Sequence, residues 1–579
     1  MLKPLAIMLL AVLGSTVAAG DRANNPPWQG RSPVIAQHGM AATAQPLATQ
    51  VALDILKAGG SAVDAAIAAN AMLGLVEPVG NGIGGDLFAL VWDPKTRKLH
   101  GLDASGAAPA ATDVAALRRQ FGGKGPIGPA GTAAITVPGA VAGWHVLHQQ
   151  FGVLPLKQLL APAVGYARNG FPVSPLIAEQ WARNIRLLTA RRADIPAFDN
   201  ALALYAPGGS TPAAGAMFTN PDLARTLEAI GKGGAKAFYT GPIARDIAAF
   251  MAANNAPMRE TDLAAMRAEW VEPISATYRG YTVWQMPPAT QGLATLQMLR
   301  LIERFDIAKM GFGSADAVHV MVEAKKLAFA DRARFLADPR VVKVPVAALL
   351  SDAYTAKRAA LIRMDRALPA DVQPGDPAER SDTTYLTVAD RNGMMISLIQ
   401  SNYRGMGSGV VASRSPKNGG GTLGFMFQNR GAQFSLDATA ANVIAPGKRP
   451  FHTIIPGFVT KDGMPFLSLG VMGGSMQPQG QVQVITNIID FGMDVQAAGD
   501  APRWRHIGGP DPGDGAEPPA LFLERDFTPE TRAALAARGH VLKSGTDDVG
   551  GYQAIRWDAK NRVYWGASEM RKDGQAAGY

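Results

Sequence analysis

The 579 residues contain no cysteine, which excludes disulfides, thiolate nucleophiles and cysteine-ligated metals and leaves packing to supply stability. The eight histidines (38, 100, 145, 148, 319, 452, 506 and 540) show no HxH or HExxH spacing. His145 and His148 share a helical face without an acidic partner, so no metal site and no cofactor are expected. No serine has glycine both two places before and two places after it, so the nucleophile elbow of an α/β-hydrolase is missing. Ser475, in Gly473-Gly474-Ser475, reads as a turn residue. After residue 20 no apolar run reaches about 18 residues without a charge, the length a membrane-spanning helix needs. The charge is +9, from 56 basic and 47 acidic residues. Basic and acidic side chains are interleaved, as at Glu323, Lys325, Lys326, Asp331, Arg332 and Arg334, so the clustered basic face of a nucleic-acid binder is absent.

What is present is ample core-forming material: 47% hydrophobic and 18% charged residues, with 64 glycines and 41 prolines for turns. Length alone suggests three or four domains at about 150 residues each, but no Ser/Gly linker divides the chain. Met1-Leu2-Lys3, the apolar stretch Pro4 to Gly14 and the small residues Ser15 to Gly20 make a signal peptide, cut after Ala19. An exported protein, periplasmic or secreted, is expected.

Pro46 to Lys57 and Ser61 to Val76 are predicted helices, the second opening on a capping-box-like Ser61 and Asp64. Gly80, Gly82 and Gly85 formally match GxGxxG, yet the order is helix, glycines, strand (Leu87 to Trp92), the reverse of a dinucleotide site. Leu99 to Ala104, Ala133 to Val137 and Tyr278 to Trp284 are predicted strands. Val141 to Gln150, Pro155 to Asn169, Asn220 to Ile230, Gly241 to Ala253, Asp262 to Ala268 and Ala315 to Phe335 are predicted helices. From Thr383 the pattern turns β-rich, with Gly407 to Ser413, Ala432 to Phe434, Ile454 to Thr460 and Pro465 to Leu469. A helix follows at Gln481 to Phe491, and Tyr552 to Asp558 pairs with Asn561 to Gly566. Strands flanked by helices in both halves imply a layered α+β fold.

The stretch around Thr383 stands out. A Pro-containing charged linker, Met364 to Arg380, runs into Ser381-Asp382-Thr383-Thr384 and a β-hairpin turned at Asn392-Gly393, the pair best suited to a type I′ turn. An ordinary hairpin after an ordinary linker is one reading. Cleavage before Thr383 is the other, making it an N-terminal threonine whose own amine, near pKa 8, accepts the hydroxyl proton. Such a nucleophile needs backbone N–H groups for the oxyanion, and Gly473-Gly474 after a predicted strand is a candidate source.

Several segments together resemble the γ-glutamyltransferase family of N-terminal-nucleophile hydrolases. They are Gly60-Ser61-Ala62-Val63-Asp64-Ala65-Ala66, Gly82-Ile83-Gly84-Gly85-Asp86, Val137 to Trp144, Glu323 to Asp331, Asp382-Thr383-Thr384, Gly473-Gly474, Ala501-Pro502-Arg503 and Ala577-Gly578-Tyr579. The resemblance covers nearly the whole chain after residue 35. It implies a four-layer αββα sandwich and self-cleavage between Asp382 and Thr383. The products would be a large (20–382) and a small (383–579) fragment that stay together as a heterodimer. Thr383 would be the nucleophile and Gly473 and Gly474 the oxyanion donors. Ser401 would support the threonine, and Thr453 would fall in the pair that grips the substrate carboxylate.

Departures from the family pattern bear on the substrate. The arginine for the α-carboxylate falls at Ser105, the aspartate for the α-amino group at Gln433, and the first serine of the carboxylate pair at His452. Residues around Asn402-Tyr403 also differ from those of the well-known transpeptidases. Ser401, Tyr403, Arg430, Gln433, His452 and Thr453 form the expected substrate-binding set, with His452 or Arg430 replacing the missing positive charge. The leading expectation is hydrolysis of γ-glutamyl amides such as glutathione, with water or an amine resolving the acyl-enzyme. The alternatives are an acylase for glutaryl-type amides lacking the α-amino group, and a binding homologue without catalysis. The loop Ser413 to Gly424 is a candidate lid.

Overall fold

The computed structural model describes residues 26–369, 383–508, 518–543 and 549–579. The signal segment, Asp382 and the linker beyond residue 369 lie outside the described residues.

Two seven-stranded antiparallel sheets lie face to face. One runs in the order Val34–Ala36, Val563–Ser568, Tyr552–Asp558, Met464–Val471, Gly457–Lys461, Tyr281–Gln285, Ile274–Tyr278. The other runs Gln575–Gly578, Met40–Thr43, Thr384–Ala389, Met395–Ser401, Asp86–Asp93, Lys98–Ala104, Glu269–Val271. Helices Pro46–Lys57, Ala62–Val76 and Ala140–Phe151 cover the second sheet, and Gly292–Ile302, Met476–Ile489 and Val495–Asp500 cover the first. The result is the expected four-layer αββα sandwich, with one large apolar cluster under each helical layer.

Burial on both sides explains the inner elements. Every residue of Thr384–Ala389, Met395–Ser401 and Asp86–Asp93 is buried, so both faces of these strands are covered and no exposed polar face alternates with a buried one. Helix Ala62–Val76 is buried on nearly all sides and rich in alanine, which lets it lie close to the sheet. Its start is fixed by a true capping box between Ser61 and Asp64. The same Asp64 Oδ2 accepts from the Val153 and Leu154 amides, 2.9 and 3.1 Å away.

Several expected boundaries moved. At the Thr383 hairpin only Gly393 has positive φ (86°). Asp390 accepts from the Gly393 amide and its side chain from the Asn392 and Met394 amides, so the connection is a longer, Asp-capped turn rather than type I′. The positive-φ pair occurs instead at Arg279 and Gly280 (49° and 80°), which fold Tyr278 to Trp284 into two strands, Ile274–Tyr278 and Tyr281–Gln285. Ala133 to Val137 forms no strand, only the 3₁₀ turn Thr132–Ala134 and extended backbone. Gly407 to Ser413 is a loop, because Gly407 and Gly409 take φ of 115° and 81°, outside the strand region. Ala432 and Gln433 lie on the 3₁₀ turn Arg430–Gln433, with Phe434 its extended cap, and helix Glu260–Ala264 stops short of Ala268. The helix expected from Gln481 begins at Met476. Pro478 lies in its first turn, where the missing N–H breaks no helical hydrogen bond.

Candidate active site

Thr383 sits immediately before the central strand Thr384–Ala389, which pairs with Met395–Ser401 from Thr384 opposite Gln400. It is 5% exposed. Its Oγ1 lies 3.4 Å from Ser401 Oγ and 3.4 Å from Gln477 Nε2. Ser401 Oγ also accepts the Tyr403 amide at 2.8 Å, and Gln477 Oε1 accepts the Ile455 amide at 3.0 Å. Both neighbours of the threonine hydroxyl are therefore oriented by the backbone. Gly80 backs the threonine from the other side: a Cβ there would lie 3.4 Å from the Thr383 nitrogen. The opening at Thr383 is lined by Glu77, Val79, Gly80, Gln180, Met472, Gly473 and Lys572.

Strand Met464–Val471 delivers Gly473 and Gly474 next to this opening, with φ of 108° and 58°. These are angles that glycine adopts readily and other residues rarely. Among the described residues neither glycine amide donates to a protein group. Helix Met476–Ile489 begins two residues later, so its positive dipole end adds to the field at the glycines.

A buried polar cluster gathers around Arg430. Arg430 is 0% exposed. Its Nη1 donates to Thr453 Oγ1 at 3.1 Å, its Nε faces Asp86 Oδ2 at 3.7 Å, and its guanidinium lies 4.8 Å from the Tyr403 ring centroid. Gln433 Nε2 donates to Tyr403 Oη at 2.5 Å. Among the described residues, Arg430 Nη2, Asp86 Oδ2, Gln433 Oε1 and both His452 ring nitrogens find no hydrogen-bond partner. Burial pulls the Arg430 pKa down to about 10, against the opposing field of Asp86, so it stays cationic at neutral pH. Burial raises the Asp86 carboxyl to about 7, with Arg430 pulling the other way. His452 is pushed well below the ordinary histidine value by burial and then by Arg430 and Arg449, so it is neutral. Of the two expected replacement charges, only Arg430 is one.

Ser105 is not at an open cationic site. Its hydroxyl donates to Asp103 Oδ1 at 2.6 Å, and Asp103 Oδ2 meets Arg449, which is also held by Glu269 and the Arg267 carbonyl. The loop Ser413 to Gly424 is not a loose lid. Asp222 accepts from the Thr422 amide and hydroxyl, Asp246 from Ser415 and Asn418, and Arg414 donates to Thr226. None of its residues lines the opening at Thr383.

Three residues of this region were not singled out from sequence: Gln477, Gln291 and, as a site residue, Asp86. Gln291 is 0% exposed, and its Nε2 donates to the carbonyls of Thr453 (2.5 Å) and Gly474 (2.8 Å). Away from this site, His319, Glu323 and His540 gather with their ligand atoms within 4.8 Å. Spacing did not reveal this cluster because His540 comes from a distant segment. Its donors are already engaged: His319 bonds His540 and the Arg363 carbonyl at 2.8 Å each, and the Lys326 ammonium lies 2.7 Å from Glu323.

A four-layer αββα sandwich with a buried threonine immediately before an inner strand, and Gly473 in the same opening ahead of a helix start, is the architecture of the N-terminal-nucleophile hydrolase class. The sequence profile of the gamma-glutamyltranspeptidase family matches residues 48–579, and the chain belongs to that enzyme family. The glutathione hydrolase-like YwrD proenzyme of Bacillus subtilis (strain 168) is 37% identical over 551 residues, covering 94% of this chain and 99% of its own length. The glutathione hydrolase proenzyme of Escherichia coli (strain K12) is 35% identical, covering 94% and 93%. The crystal structure of cephalosporin acylase from Bacillus halodurans superposes with a TM-score of 0.87 at 42% identity, over 95% of this chain and 97% of that one. Among the described residues no helix is long and apolar enough to cross a membrane.

Proposed function

We propose that the chain is a proenzyme cleaved between Asp382 and Thr383 into fragments 20–382 and 383–579, and that Thr383 then hydrolyses amides whose acyl group ends in a carboxylate. The γ-glutamyl amides are one such class and glutaryl-type amides another. The observation that carries this reading is Arg430, a buried cation whose Nη2 has no hydrogen-bond partner among the described residues and whose Nη1 holds Thr453, the residue that Gln291 ties to Gly474. A carboxylate is the ligand that completes such a guanidinium.

In the proposed reaction the α-amine freed at Thr383 takes the proton of its own hydroxyl, and Oγ1 attacks the amide carbonyl. The Gly473 and Gly474 amides receive the oxyanion, and Ser401 and Gln477 hold the hydroxyl. Collapse expels the amine with the transferred proton, and water adds to the ester to release the acid and restore Thr383. Tyr403, Gln433, His452 and Thr453 surround the acyl chain, and export follows from the signal segment.

Gln433 favours the second class. Its neutral amide stands where a carboxylate would read an α-ammonium group, and its Nε2 is committed to Tyr403. The test has two stages. The purified protein should run as two fragments, the smaller beginning at Thr383 by mass, while Thr383→Ala stays whole. A wild type that remains intact sinks the enzymatic reading. Glutaryl-anilide and γ-glutamyl-anilide are then compared on the cut protein, and preference for the glutaryl compound is expected. A preference for γ-glutamyl returns the chain to ordinary glutathione-type hydrolysis.

A further inference from the structure

We infer that Gln291 is a positioning residue that sets the distance between the oxyanion glycines and the acyl-recognition cluster; this rests on the reading that Thr383 forms an acyl-enzyme. A Gly-Gly pair is the least self-restrained backbone a chain can offer. To present two amides to a developing oxyanion without reorganisation, it must be held from outside. Gln291 supplies that hold. Its single side-chain nitrogen donates one hydrogen to the Gly474 carbonyl (2.8 Å) and the other to the Thr453 carbonyl (2.5 Å). Its own amide donates to the His452 carbonyl at 3.0 Å. Thr453 in turn presents its hydroxyl to Arg430. One residue thus touches the glycine loop and both residues of the carboxylate-binding pair.

Gln291 is itself fixed. Its Oε1 accepts from Arg332 Nη1. The Arg332 guanidinium is buried between Phe329 and Phe451, 3.9 and 5.4 Å from their ring centroids. The backbone is equally confined, since a Cβ on the following Gly292 would lie 2.7 Å from both Gln285 Cβ and the Met286 carbonyl oxygen. The strut therefore runs from helix Ala315–Phe335 through Arg332 and Gln291 to the reaction centre.

A group that places oxyanion donors acts on the tetrahedral state more than on bound substrate or product. Gln291→Ala should keep the fold and the two fragments, lower kcat on glutaryl-anilide by about 30- to 100-fold, and leave KM within about threefold. Two inhibitors separate the roles. Glutarate, the free acid product, should bind the variant within about threefold of wild type. A carboxyalkyl boronate, which becomes tetrahedral on a nucleophilic hydroxyl, should weaken by the same factor as kcat/KM. Gln291→Glu keeps the Arg332 contact but turns one acceptor oxygen on both carbonyls, and should be at least as impaired. The inference is overturned if kcat/KM of cut Gln291→Ala stays within about threefold of wild type, or if glutarate weakens as much as the boronate. Should Gln291→Ala fail to fold or to be cut, Arg332→Lys, which loosens the same amide without removing it, must show the same split between boronate and glutarate. Equal effects there also overturn it. A wild type that binds neither inhibitor condemns the reading of Thr383 instead, so the two failures are distinct.

Discussion

The two sides of the site are finished to different degrees. Around the Thr383 hydroxyl each neighbour is tied down: Ser401 by the Tyr403 amide, Gln477 by the Ile455 amide, Gly474 by Gln291. In the polar cluster, Arg430, Asp86, Gln433 and His452 are equally buried, yet each of the four retains polar atoms with no hydrogen-bond partner among the described residues. Buried polar groups are normally satisfied, and leaving one bare costs roughly 1–3 kcal/mol. On the proposed function this contrast corresponds to a division between reaction and recognition, with the oriented donors serving the bond being broken and the under-satisfied ones the acyl tail.

The largest break in that contrast should come from Arg430→Met. Removing the cation should lower kcat/KM on glutaryl-anilide by about 100- to 1000-fold, with far less change on an uncharged acyl-anilide. Equal losses on both substrates would show that Arg430 supports the fold rather than the acyl tail.

Asp86 gives the next largest effect, read in stability. Its carboxyl rises from 3.8 to about 7 in the folded protein. The folded state therefore holds a proton that the unfolded state releases, and the resulting stability is complete below about pH 4 and is lost as pH climbs to about 7. At roughly 1.4 kcal/mol per unit, denaturant melts at pH 5 and pH 8 should show wild type losing roughly 2–3 kcal/mol relative to Asp86→Asn. A difference that does not change with pH would mean that the cluster is wetter than its burial indicates.

Gln477→Leu tests the finished side. Losing one 3.4 Å contact to the nucleophile should cost about tenfold in kcat with KM nearly unchanged. A loss confined to KM would move Gln477 to the recognition cluster. The smallest effect is expected from Gln433→Asp, which restores a carboxylate for an α-ammonium group and should shift the γ-glutamyl to glutaryl ratio by about fivefold. No shift would detach Gln433 from substrate choice.

The sequence made the frame legible where a local rule was strong. Ser61 and Asp64 announced their capping box, and the runs around Thr384 and Leu87 announced strands. The Thr383 and Gly473-Gly474 pairing was visible only through the family resemblance, because the segments are far apart in the chain. Gln291 and Gln477 left no trace. A glutamine amide has no characteristic spacing, and Pro478 and Gly480 masked the helix start that carries Gln477. The charge states of Arg430 and His452 were equally hidden, since they depend on desolvation and neighbours that only the folded chain brings together.

The short strand Met40–Thr43 has a consequence for how the protein is made. It lies between Thr384–Ala389 and Gln575–Gly578, hydrogen-bonded to both, and Tyr579 is clasped by His38 and Gly39. A segment from early in the chain is thus a rung inside a ladder built from its end. Expressed alone, a 383–579 fragment would present two naked strand edges where that rung belongs, and such edges recruit other chains. Co-folding from one polypeptide, rather than mixing of separately produced halves, is the route this topology favours.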